Sequence, residues 1–256
     1  MSEAALFSRQ FRVDMLRFWR NTQSRYFTIL LPIVFLVIFA AIFKGVTVVE
    51  GHVMKLTTFY VPGIMAMGLI SASYVNLTQA VVTRREGGEL KRLRGTPLPA
   101  AYVICSRAAV GVVIAVVMAV ILLVIGNVAY GVPVPHALGA LLVAIVVGAA
   151  AFACVGFAVS TVITTVEAAA PATNLTVLPL YFISGVFVPE RQIPAFLRDI
   201  AEVFPIYHLA RALREPFIEA HGGPFAAGDI AVLILWGVVS LAVAARRFRW
   251  TPSDES

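Results

Sequence analysis

The sequence predicts an all-α polytopic membrane protein with six transmembrane helices, and three observations carry that reading. Hydrophobic residues make up 60% of the 256 positions and charged residues 13%, with a mean hydropathy of +0.89, a balance that an ordinary globular surface does not accommodate. Six apolar stretches, at 27–43, 59–82, 102–128, 137–163, 171–188 and 230–245, approach the roughly 20 residues that cross a bilayer. The basic residues collect beside these stretches, where positive charge sets orientation.

Before the first span, residues 4–24 are amphipathic at helical period, with Phe7, Phe11, Met15, Phe18 and Trp19 on one face and Arg9, Arg12, Arg17 and Arg20 on the other. The pattern predicts an interfacial helix lying on the membrane surface. The first and last spans are short, so Tyr26, Lys44, Arg246 and Trp250 are expected to anchor them at the interfaces. Between the fifth and sixth spans, 189–224 holds no run long enough to cross. Ile193, Phe196, Leu197, Ile200, Val203 and Phe204 keep helical spacing, Pro205 interrupts, and Ile206, Leu209, Ala210 and Leu213 resume it, which predicts two short external helices. With the N-terminus inside, cytoplasmic segments hold fourteen of the 20 lysines and arginines against six outside, so both termini are placed in the cytoplasm.

The segment 83–99, TRREGGELKRLRGTPLP, is a charged island between the second and third spans. Gly87 and Gly88 loosen its start, Leu90 and Leu93 form an apolar ridge at helical spacing, and Gly95 with Pro97 stops it. It reads as a short cytoplasmic helix with a charged rim, or as a solvated loop whose arginines only set topology. Arg85, Glu86, Gly88, Leu90, Leu93, Thr96 and Pro97 stand in an order that resembles the cytoplasmic motif of the type-2 ABC transporter permeases, the membrane subunits of ATP-driven exporters. Lys91 departs from that pattern, which often has an acid after the first leucine. A second stretch of likeness comprises Ser184 to Pro189, Ile193-Pro194, Phe204-Pro205 and Ala212-Leu213-Arg214, with a departure at Ile206-Tyr207-His208. The resemblance implies one transmembrane domain over 1–256, a coupling segment at 83–99 seated on a separate ATPase, and a second permease copy. It places the chain in the plasma (inner) membrane of a prokaryote.

The chain has no G-x-x-x-x-G-K-[ST] phosphate loop, so ATP and Mg are expected on the partner ATPase, with no cofactor and no catalytic residue here. His52, His136, His208 and His221 are scattered without carboxylates at ligand spacing, and Cys105 and Cys154 form no metal motif. No nucleic-acid-binding motif accompanies the basic residues. Glu167 is read as a cytoplasmic turn residue in preference to a proton relay.

Polar residues inside spans cluster in the second (Asn76, Thr78, Gln79) and the fifth (Thr173, Asn174, Thr176, Ser184). They face a translocation surface or hydrogen-bond neighbouring helices. Tyr60, Tyr181 and Phe182 in the outer halves of the same spans offer aromatic faces to an amphiphile, or belong to an aromatic belt. The expected pathway is thus Tyr60, Asn76, Asn174, Tyr181, Phe182 and Ser184. The expected cargo is a hydrophobic drug-like molecule or lipid, with a polysaccharide or lipid-linked glycan as runner-up. A non-transporting membrane anchor or assembly subunit is the alternative from another class.

Overall fold

In the computed structural model, which describes residues 3–43, 45–49, 53–93, 100–218 and 226–248, helices carry nearly the whole chain. Thr96 and Pro97 lie outside the described residues, as do the Leu93 side chain, Lys44, His52, His221 and Trp250. Helix α1 (Glu3–Arg20) leads through α2 (Thr22–Arg25) and a π-helical turn (Tyr26–Leu30) into α3 (Leu31–Ile42). The β-branched run Thr47–Val49 (β1) then pairs antiparallel with Val53–Lys55 (β2), with Thr47 opposite Lys55, a three-residue ribbon in an otherwise helical architecture.

The second span extends beyond its expected bounds at both ends. Helix α4 (Leu56–Ile70), a π-helical turn (Ser71–Val75) and α5 (Asn76–Glu86) form one helix of 31 residues. Every residue of α4 is buried, as befits a helix apolar on all sides. Gly87 and Gly88 (φ +68°) turn the chain into α6 (Glu89–Leu93), where only a glycine adopts that backbone without strain.

Helices α7 (Ala100–Tyr130), α8 (Leu138–Ser160) and α12 (Ala227–Arg247) complete the bundle, α7 against α4 and α12 against α8. Four helices among the described residues are long and apolar enough to cross a membrane: 56–86, 102–130, α8 and α12. Residues 26–42 are apolar but shorter, and α9 (Val166–Ile183) has 18 residues and carries Glu167, Thr173, Asn174 and Thr176.

The stretch after α9 forms α10 (Ala195–Ala201) and α11 (Pro205–Arg214). Instead of lying on a surface, α11 enters the bundle and packs on α4, α8 and α12, with Ile206, Leu209 and Leu213 almost wholly buried. Small residues make room for it: the Leu209 side chain fills the space where Gly148 of α8 lacks a Cβ.

Helix α1 is amphipathic as the pattern requires, yet its apolar side divides. Phe11, Met15 and Phe18 pack on the chain's own core, while Leu16 and Trp19 remain about half exposed, 52% and 49%. The reason lies in Asp14, fully buried between Phe11 and Phe18, whose charge demands partners that only protein can supply.

Candidate translocation and coupling site

The polar residues of α1, α5 and α7 meet at the cytoplasmic end of the second span as the sequence orients it. Asp14 accepts hydrogen bonds from the Arg84 guanidinium, from Ser106 at 2.7 Å and from Gln10 at 3.1 Å. Arg84 is 6% exposed, so the ion pair is shielded from water and from salt. Arg17 extends the network to Glu89 at 3.0 Å on the exposed side.

The next residue, Arg85, turns the other way. Its guanidinium donates to the Ser160 carbonyl at 2.9 Å and to the Ile163 carbonyl, and its Nε donates to Glu86 at 2.7 Å. The carbonyls at the end of α8 have no helical partners and carry the negative end of the helix dipole, so a buried cation there satisfies both. Two residues on, Thr165 caps α9 by accepting from the Ala168 amide at 3.2 Å. Arg85 therefore clamps the turn between α8 and α9.

These positions divide the expected coupling residues. Arg85 is buried, and Leu90, 3% exposed, shares a narrow crevice with Val81, Val103, Ile104 and Phe248 of its own chain. Glu86 is 15% exposed, while Glu89, Lys91 and Arg92 stand outside. Gly88 supplies the left-handed turn. Leu90 and Arg85 thus hold the segment's shape, and the exposed charges of α6 form its rim.

The expected pathway residues also separate, into an inner and an outer group. At the inner end, a cavity of about 490 Å³ lies among α1, α2, α5, α7 and α9, lined by Arg17, Asn21, Ser24, Asn76, Gln79, Thr83, Arg84, Arg107 and Glu167, among others. Asn76 donates to Thr28 at 2.6 Å, joining the second span to the π turn of the first. Asn174 is exposed.

Toward the outer end, Tyr60 stacks on Phe39 at 4.6 Å between ring centroids. Phe187 lies 5.7 Å from Phe39, 5.9 Å from Tyr181 and 5.5 Å from Phe182. Tyr60 and Tyr181 are buried in this cluster, and Ser184 is buried with no hydrogen-bond partner for its hydroxyl among the described residues. Asn174 and Tyr181 are seven residues apart on α9, yet Asn174 is exposed and not part of the cavity wall, while Tyr181 is enclosed by the aromatic cluster.

Sequence reading missed Asp14, Phe39, Phe187 and the role of Arg107. Arg107 carried a usable signal, since a cation within an otherwise apolar helix calls for a partner or a ligand. Between the two groups, polar atoms knit the helices: Tyr74 and Thr176 share a hydrogen bond of 2.9 Å, and Thr78 donates to the Gly156 carbonyl at 3.0 Å.

A second polar cluster surrounds α11. Arg214, 4% exposed, donates to the Gly185 carbonyl and to Glu190 at 3.3 Å, and its guanidinium lies 4.2 Å from the Phe59 ring centroid. His208 contacts Asp229 at 2.7 Å and the Glu202 carbonyl at 2.8 Å. The carboxylate raises the histidine pKa above its usual value, burial opposes it, and the carbonyl adds to the rise. Among the described residues no group of three or more His, Cys, Asp or Glu is placed to hold a metal ion.

Residues 4–218 match the model of the ABC-2 type transporter family, and the chain belongs to that family of membrane transport subunits, which work with an ATP-binding subunit. It is similar to the probable multidrug ABC transporter permease YbhR of Escherichia coli strain K12, 24% identical over 161 residues, which are 63% of this chain and 44% of that protein. The counterpart in Escherichia coli O157:H7 is similar to the same extent. The chain thus spans less than half the length of the curated relatives it matches.

Proposed function

We propose that this chain is the six-span permease of an ATP-driven exporter, working as one of two permease copies with separate ATPase chains that bind ATP and Mg. Both termini and α6 lie in the cytoplasm of a prokaryotic cell whose inner membrane holds the assembly. The cargo is an amphiphile of modest size, drug-like or lipid.

The observation that carries the reading is the cavity of about 490 Å³ at the inner ends of the second and fifth spans, with packed aromatic residues toward the outer ends of both. A volume of that order suits part of an amphiphile better than a long hydroxyl-rich chain. Thr83, Arg84 and Glu89 belong both to the cavity wall and to the region of the coupling segment, so a displacement of α6 reaches the cavity directly. ATP-driven closure of the ATPases would shift the population between inward-open and outward-open arrangements of the two spans.

Co-expression with the ATPase that co-purifies with this chain tests the reading. Cells should accumulate less of at least one lipophilic compound, and Asn174→Leu or Tyr181→Ala should change the spectrum expelled while basal ATPase activity persists. No change across a compound panel, together with loss of a surface glycan on deletion of the chain, would transfer the assignment to glycan export.

A further inference from the structure

The cavity wall holds Arg17, Arg84 and Arg107 against Glu89 and Glu167. Pairing removes most of this charge: Arg84 binds the buried Asp14, and Arg17 binds Glu89. Glu167 is exposed in the first turn of α9, where water and the helix N-terminus stabilise it. Arg107 remains. No carboxylate lies within ion-pairing distance of it among the described residues, and its buried Nε has no hydrogen-bond partner. The buried Nη1 of Arg84, a side chain 6% exposed, has no partner either.

A guanidinium nitrogen that is withdrawn from water without a partner costs free energy that its surroundings must return. Here the Nε of the half-buried, carboxylate-free Arg107 and the Nη1 of Arg84, whose other nitrogen binds Asp14, belong to one polar cavity that also offers the amides of Asn21, Asn76 and Gln79. Guanidinium donors and amide N–H groups together match an oxyanion, which accepts several charge-assisted hydrogen bonds at once. A cation would meet the opposite: the unpaired carboxylate of Glu167 is already solvated, and Arg107 would repel the incoming charge.

We propose that this cavity is a binding site for a phosphate-class oxyanion, with Arg107 as its principal ligand and Arg84 as the second. The anion is either the headgroup of an inner-leaflet amphiphile or a soluble phosphate. The inference rests on the export reading only in making that ligand the cargo.

The test uses the purified full chain in nanodiscs of phosphatidylcholine, without nucleotide or partner. Dioctanoyl phosphatidic acid, dioctanoylglycerol and inorganic phosphate are titrated separately, with binding read by native mass spectrometry and Tm by intrinsic fluorescence. Phosphatidic acid should bind at least about tenfold tighter than dioctanoylglycerol, and Arg107→Gln should erase that margin while Arg12→Gln, on the exposed side of α1, keeps it. Phosphate matching phosphatidic acid would assign the ligand to a soluble oxyanion; phosphatidic acid alone would assign it to a lipid-like headgroup.

Without ligand, Arg107→Gln should melt at or above the wild-type temperature, because the substitution removes a half-buried charge that no carboxylate pairs and whose buried Nε lacks a partner. Equal binding of phosphatidic acid and dioctanoylglycerol, undiminished binding by Arg107→Gln, or a collapse of its unliganded Tm would each overturn the site. Failure to bind leaves the export reading intact, and failure to export leaves the site intact.

Discussion

The Arg85 guanidinium lies 2.9 Å from the Ser160 carbonyl, so the residue that heads the proposed coupling motif is bonded to the end of another membrane helix. The motif is therefore part of the bundle's internal architecture as well as its rim.

That division predicts three phenotypes. Lys91→Glu with Arg92→Glu should weaken capture of the ATPase, more so at low salt, while the Tm of the isolated permease stays unchanged. Arg85→Ala should lower the Tm, since it frees buried carbonyls. Glu86→Ala and Leu93→Asp should lower transport with normal membrane insertion. Pull-down and melting curves measured side by side check all of these, and an ATPase pull-down indifferent to the charge reversal would contradict the assignment of α6.

Arg84→Gln should destabilise the chain by about 3–5 kcal/mol, because it strands Asp14 as a buried carboxylate without its cation. Adding Asp14→Asn should recover a large part of the loss. A double-mutant cycle on thermal or denaturant unfolding measures the coupling, and strictly additive effects would mean that the pair is not energetically joined.

Gly156→Ala should cost about 1–3 kcal/mol through overpacking. A Cβ there would meet the Tyr74 carbonyl oxygen at 2.9 Å and Thr78 Oγ1 at 3.0 Å, and would also push apart the Thr78 to Gly156 hydrogen bond. Wild-type stability in this variant would show that α8 and the second span separate without penalty.

The contact between His208 and Asp229 makes the α11 region sensitive to pH. Because the folded histidine titrates above its ordinary value of about 6.5, its stabilising contribution is complete below that value and is lost as pH rises through the higher folded value. Tm followed from pH 5 to 9 should fall across that window in the wild type and run flatter in Asp229→Asn. Parallel curves would remove the histidine from the account.

Much of the bundle was legible from apolar runs alone, because a helix that must satisfy its backbone in lipid leaves a continuous signature. The motif residues at 85–93 were legible as a group, but not which way each one points. That depends on partners distant in sequence, such as Ser160 and Ile163 for Arg85. The π turn at Ser71–Val75 fits an extra residue into the second span and rotates α5 relative to α4 by about 100°, so a helical wheel drawn from Leu56 misplaces Asn76 and Gln79. Burial of α11 was hidden for another reason: its amphipathic pattern is the same whether the apolar side meets lipid or the gap left by Gly148. Asp14 did leave a trace, as an acid at helical spacing between Phe11 and Phe18.

Adjacent residues on a helix point about 100° apart, and Arg84 and Arg85 use that angle to grasp α1 through Asp14 on one side and the α8–α9 turn on the other. In mechanical terms the end of α5 is the pivot of a bell crank. On the proposed coupling role, a thrust delivered at α6 would be resolved into two arms, one drawing on α1 and one on the α8–α9 turn, and the cavity would open or close between them. Such a joint would transmit torque in both directions, so a ligand that pries the arms apart would also present a different α6 to the proposed ATPase.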